Sequence, residues 1–157
     1  MAERTRVLVA EDETIIRLDL CGLLAEAGFE VCGAARDGAE AVALALELLP
    51  DVALLDVRMP RLDGIEAARR ILDEVDLPIV MLTAHGDEAL VARAVAAGVF
   101  GYVVKPFRAE DVAPAIRAAV ARHGDLAVSR RSHRRSAISI HPVPRQRFTL
   151  ESDRRAR

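Results

Sequence analysis

Residues 51–64 read DVALLDVRMPRLDG, and this stretch decides how the rest of the chain is interpreted. An apolar run at 52–55 ends on a carboxylate, Asp56, and is followed by turn and helix-start chemistry in Met59-Pro60 and Asp63-Gly64. A strand without polar residues is a buried strand, and this one delivers a charged side chain to its own exit. Taken alone, such an Asp would merely cap a turn. Working outward from it gives a different answer.

On either side of 51–64, two patterns alternate five times through residue 123. Short apolar runs, mostly β-branched, at 6–10, 30–34, 52–55, 78–82 and 101–104 read as strands. Between them lie segments with apolar residues three and four apart, such as Ile16, Leu20, Leu23, Leu24 and Ala27, or Ala41, Leu44, Ala45 and Leu48, which read as helices. Gly28 and Gly98 suit helix C-terminal stops, and Asp63 suits an N-cap. Strands that are almost wholly apolar, rather than alternating, imply a parallel sheet covered on both faces. The expected fold is α/β, a (βα)5 doubly wound parallel five-stranded sheet.

The whole chain has 157 residues, 52% of them hydrophobic but only 3% aromatic, so the core has to be built from Val, Leu, Ile and Ala. Charge divides it in two. Residues 1–123 carry 13 basic against 21 acidic side chains, a net −8, whereas 124–157 carry nine Arg against three acids, a net +6. We therefore expect one folded domain at 1–123 and an Arg-rich appendage at 124–157. That appendage has no sustained helical period and is broken by Pro142 and Pro144, so disorder is its expected state. Cys21 and Cys32 have no metal or redox spacing, no signal-peptide pattern opens the chain, and no apolar run reaches the roughly 18 residues of a membrane span. A cytoplasmic protein with reduced thiols, not inserted in a membrane, is expected.

In open α/β sheets, ligands sit outside the carboxyl ends of the strands. The first run exits into Glu11-Asp12, the third into Asp56, the fourth into Thr83 and the fifth into Lys105-Pro106, while the second exits into what reads as an ordinary turn. Two carboxylates about 4 Å apart repel by roughly 4 kcal/mol at an effective dielectric near 20. Glu11, Asp12 and Asp56 therefore call for a cation, and an all-oxygen donor set favours Mg2+ over zinc. A carboxylate can also act as a nucleophile and form an aspartyl phosphate, with Lys105 and Thr83 placed to hold the transferred group. No Gly-rich nucleotide cradle is present, which argues against ATP as direct donor.

These residues in this order resemble the receiver domain of two-component response regulators. The family pattern of an acidic pair, a phosphoacceptor Asp followed by MPxxDG, a Thr or Ser and a Lys-Pro is matched at Glu11-Asp12, Asp56, Thr83 and Lys105-Pro106. The resemblance implies a flavodoxin-like receiver fold in which Asp56 accepts a phosphoryl group from a sensor histidine kinase or phosphotransfer protein. It further implies that Asp12, Asp56 and the backbone carbonyl of Arg58 hold Mg2+, with Glu11 acting through water, and that Thr83, Ala84 and Lys105 bind phosphoryl oxygens. Tyr102 corresponds to the aromatic that changes rotamer on activation. Arg58 and His85 correspond to positions that border the phosphate and influence its lifetime, and the Lys105-Pro106 bond to one that is cis. Activation is expected to act on the face made by the fourth helix, fifth strand and fifth helix, through which several members form phosphorylation-dependent homodimers. Stretches such as VLVAEDETIIRLDL and DVRMPRLDGIEAA are most similar to receivers of ANTAR-type RNA-binding antiterminators, but no recognisable helical output domain follows in 124–157.

Two other functions compete. A small Asp-nucleophile phosphohydrolase would show a DxD motif, whereas Asp56 is followed by Val57-Arg58. A nucleic-acid-binding regulator would act through the basic tail, whose cluster at 130–135 suits nonspecific phosphate contact but offers no aromatic stacking platform. An enzyme acting on external substrates is thus not expected. Of the remaining polar residues, Asp63 is expected to cap a helix, Glu13 and Asp19 to be surface charges, and Cys21 and Cys32 to be core thiols. His123, His133 and His141 lack metal-site spacing.

Overall fold

A computed structural model describes the backbone of residues 3–140 and side chains as far as residue 126. Ten elements alternate: β1 (Arg6–Ala10), α1 (Thr14–Glu26), β2 (Glu30–Ala35), α2 (Gly38–Leu48), β3 (Val52–Asp56), α3 (Gly64–Glu74), β4 (Ile79–Thr83), α4 (Glu88–Ala96), β5 (Gly101–Val104) and α5 (Ala109–Ile140). The strands form one parallel sheet in the order β2-β1-β3-β4-β5. The strand order reverses beside β1 and β3, so a crevice opens at their carboxyl ends.

The apolar runs are continuous because the sheet is buried on both sides. Successive residues of one strand enter opposite cores. Leu8, Ala53, Leu55, Ile79 and Met81 pack with Ala41 and Ala45 of α2, Ile65, Ala68 and Ile71 of α3, and Ala94 of α4. Their neighbours Val7, Val9, Val52, Leu54, Val80 and Leu82 pack with Leu20 and Leu24 of α1 and Val112, Ile116 and Ala119 of α5. Helices α2, α3 and α4 thus cover one face, and α1 and α5 the other.

The chain divides into two units, Met1–His123 and Gly124–Arg157. Helix α5 extends to Ile140, into the Arg-rich appendage for which disorder is the expectation. A helix already nucleated on the core propagates without needing an apolar face of its own, and Ala and Arg are good helix formers. Residues 141–157, on which the rest of that expectation falls, lie outside the described residues. Among the described residues, no helix is long and apolar enough to cross a membrane.

Gly64 fixes how close α3 approaches the end of β3. A Cβ there would fall on the backbone carbonyl of Asp56, while Gly22, inside α1, has nothing near enough to meet one. The two glycines should therefore respond oppositely. Gly64→Ala is expected to lower stability by about 1–3 kcal/mol through overpacking, whereas Gly22→Ala should raise it by about 0.5–1 kcal/mol by removing helix-interior glycine entropy. Urea midpoints of the two variants check both signs.

Candidate functional site

The crevice gathers what the strand exits promised. Glu11 follows β1 and is fully buried, Asp12 beside it is exposed, and Asp56 is the last residue of β3. Carboxylate oxygens of these three lie within 4.8 Å of one another. Lys105, just past β5, reaches across to them, its Nζ 2.8 Å from Glu11 Oε1 and 2.9 Å from Asp56 Oδ2. Burial pulls the Lys105 ammonium down, but the Glu11 and Asp56 carboxylates outweigh it and hold the group above its ordinary range.

Backbone bonds position these groups. The Glu11 N–H donates to Ala35 O, the Val57 N–H to Leu82 O and the Lys105 N–H to Thr83 O, so each strand exit is tied to its neighbour. Glu11 Oε2 accepts from the Glu13 N–H at 3.1 Å, and Arg17 Nη1 donates to the Glu11 carbonyl at 2.8 Å. Glu11 Oε1 faces Lys105 as an ion pair without the alignment of a hydrogen bond, leaving a buried carboxylate oxygen with unused acceptor capacity. Together with the all-oxygen donor set, that atom fits a hard divalent cation. Glu11, Asp12 and Asp56 are the side chains that could hold it.

Past Asp56 the chain turns back sharply. The Arg58 N–H donates to Asp56 Oδ1 at 3.3 Å, and the Gly64 N–H to Val57 O at 2.7 Å. Arg61 adopts a positive φ of 68° and its guanidinium pairs with buried Asp37, which also accepts from the Glu40 N–H and caps α2. The Glu40 amide first, and Arg61 next, hold the Asp37 carboxyl below the usual range. The second strand's exit is therefore a brace for the Asp56 loop and not an ordinary turn. Its signal was present in Asp37-Gly38 as a helix cap, but the partner, Arg61, is distant in sequence.

Thr83 is only 2% exposed at the end of β4, and Ala84 follows it at the surface. Tyr102 is 51% exposed on β5 and lines, with Thr83, Ala84, His85 and Val104, an open groove of about 170 Å³. His85 is exposed in that groove and belongs to its rim. The Lys105–Pro106 peptide is cis. A cleft of about 260 Å³ lies over Asp56, bordered by Asp12, Arg58, Ala84, Asp87 and Lys105. Asp87 was not singled out by the sequence, where it reads as a helix-start residue. Here it pairs with the Arg58 guanidinium at 3.0 Å and accepts from the Ala84 N–H at 3.3 Å.

Asp63, Glu13 and Asp19 are placed as expected of bystanders, whereas Cys21 and Cys32, expected in the core, are only partly buried. Asp63 Oδ1 accepts from the Glu66 N–H at 2.8 Å, capping α3. Glu13 and Asp19 are exposed, and Cys21 and Cys32 are free and half-buried. His123 pairs with Asp76 and packs on Phe100, while His133 and His141 lie beyond the described side chains.

Known proteins share this fold and much of this sequence. A family model of the response regulator receiver domain matches residues 7–117. The transcriptional regulatory protein PdtaR of Mycobacterium tuberculosis is 50% identical over 121 residues, covering 77% of this chain and 59% of PdtaR, so the chain matches little more than half of that relative. Chemotaxis protein CheY of Thermotoga maritima is 37% identical over 112 residues, covering 71% of this chain and 93% of CheY. Among solved structures, the response regulator domain of Thermotoga maritima CheB aligns with a TM-score of 0.71 at 32% identity, over 75% of this chain and 97% of that one. With a match running from β1 into α5 and relatives of this identity, the chain belongs to the response regulator receiver domain family.

Proposed function

We propose that this chain is a phosphoacceptor switch, in which Asp56 takes a phosphoryl group from a sensor histidine kinase or phosphotransfer protein. The observation that carries the reading is the convergence of Glu11, Asp12 and Asp56 on Lys105 at the carboxyl edge of a parallel sheet. One Asp56 oxygen attacks phosphorus, the bond from phosphorus to the donor's imidazole nitrogen breaks, and the electron pair leaves with that nitrogen. The Lys105 ammonium, already 2.9 Å from the carboxylate, is placed to follow the phosphoryl oxygens, and the Thr83 hydroxyl and Ala84 N–H supply hydrogen bonds. Asp12, Asp56 and the Arg58 carbonyl would hold Mg2+, with Glu11 acting through water, and the ion would supply charge neutralisation for the incoming phosphate. The chain's own chemistry is then confined to accepting and losing this group, in a cytoplasmic setting where the donor operates.

Phosphorylation adds a charge of about −1.5 to −2. Drawing Thr83 toward it opens room beside the groove into which exposed Tyr102 can turn, changing the surface of α4, β5 and α5. That surface is where a phosphorylation-dependent homodimer would form.

Incubation with a small-molecule phosphodonor and Mg2+ should add a single phosphate, and Asp56→Asn or EDTA should abolish the labelling. An Asn variant that labels undiminished rules out the assignment. Beryllofluoride should change either the sedimenting mass or the amide exchange of residues 83–105; if it changes neither while binding, the proposed switch face is wrong. Lys105→Met should remove roughly 1–3 kcal/mol of stability from the metal-free chain, less than a fully buried pair because the ammonium side chain keeps 23% of its surface in water. Because the Lys105 value is raised on folding, its contribution is intact at neutral pH and is lost only as pH climbs through that raised value. Thermal melts of both chains with and without Mg2+ check this, with Mg2+ expected to narrow the difference.

A further inference from the structure

The Asp56 cleft already contains an anion that the phosphoacceptor chemistry does not use. Asp87 lies on the loop between β4 and α4, its side chain only 10% exposed, and borders the same cleft as Asp56. Its Oδ1 takes the Arg58 guanidinium at 3.0 Å and its Oδ2 the Ala84 N–H at 3.3 Å. One of these donors stands two residues after Asp56 and the other one residue after Thr83, so both border the space a phosphoryl group on Asp56 would enter. A carboxylate and a phosphoryl group compete for such donors because both present negatively charged oxygens.

We propose that Asp87 is an internal stand-in for the phosphoryl group, a positioning residue that occupies Arg58 and the Ala84 N–H until phosphorylation of Asp56 displaces it. The proposal rests on the phosphoacceptor reading above. In the unphosphorylated chain the Asp87 contacts tie the β3–α3 loop to the β4–α4 loop. On phosphorylation, the stronger charge takes both donors, the tie opens, and the β4–α4 loop is released to rearrange toward Tyr102. Asp87 thus sets how much of the phosphoryl group's binding is offset by breaking a pre-existing contact.

The test is the affinity of the full chain for beryllofluoride with Mg2+, measured in four variants. Asp87→Asn should bind roughly 3- to 10-fold more tightly than the unsubstituted chain, the worth of about one hydrogen bond regained. Glu88→Gln removes a neighbouring charge while leaving the Asp87 carboxylate in place, and should not reproduce the gain. On an Arg58→Ala background, most of the effect of Asp87→Asn should disappear, because the released guanidinium is missing. In the unphosphorylated chain, the Ala84 amide should exchange faster in Asp87→Asn, a change that global destabilisation would spread over the whole domain. If the unsubstituted chain binds beryllofluoride and Asp87→Asn matches Glu88→Gln, or gains equally without Arg58, the stand-in is overturned and the phosphoacceptor reading survives. If the unsubstituted chain binds none, the reading falls and the displacement step falls with it.

Discussion

Three carboxylates meet one ammonium at the end of this sheet, and the imbalance shapes everything around it. Lys105 touches Glu11 and Asp56, but one positive charge against three negative ones leaves two uncompensated. In water such crowding would be tolerable, whereas here Glu11 is fully buried and Asp56 nearly so. Each additional unit of repulsion at this distance is worth a few kcal/mol. A cation would offset that repulsion, and the proposed phosphoacceptor role draws on this imbalance.

The fold is what makes that imbalance affordable. Parallel strands with both faces covered place all five carboxyl ends on one edge, so groups far apart in sequence arrive together without any loop having to reach. β1 and β3 are adjacent, which brings Glu11 and Asp12 beside Asp56, and β4 and β5 follow on, which brings Thr83 and Lys105. The apolar strands then hold the backbone rigid beneath the charges through two continuous cores. Gly64 lets α3 start directly against the Asp56 carbonyl, and the Asp37–Arg61 pair braces the loop from the other side.

Sequence reasoning found the strands, the sheet type and the central residues because each depends on local pattern. An apolar run followed by an acid is visible in five residues, and strand boundaries shifted by only one at β2, β3 and β4. Contacts between loops left no such trace. Asp87 looks like any helix-start residue, and its link to Arg58 spans 29 positions. Asp37 looks like a cap, which it is, but its second partner lies 24 positions away.

Those loop contacts explain how a local charge could have a distant effect. Arg58 belongs to the loop that follows the proposed phosphoacceptor, and Asp87 to the loop that follows Thr83 and opens α4. Their pairing ties the two loops to each other. A doubly charged group on Asp56 would compete with a singly charged carboxylate for the same donors, which is the competition the proposed displacement of Asp87 requires. Tyr102 borders the groove that this second loop also lines, half in water. The contact between charges and the exposed aromatic are thus joined through one short segment, residues 84–87, whose backbone includes a positive-φ glycine at Gly86. Breaking an ion pair that ties this segment across the cleft would free it to reorganise, and the proposed displacement of Asp87 would then act where the charge changes.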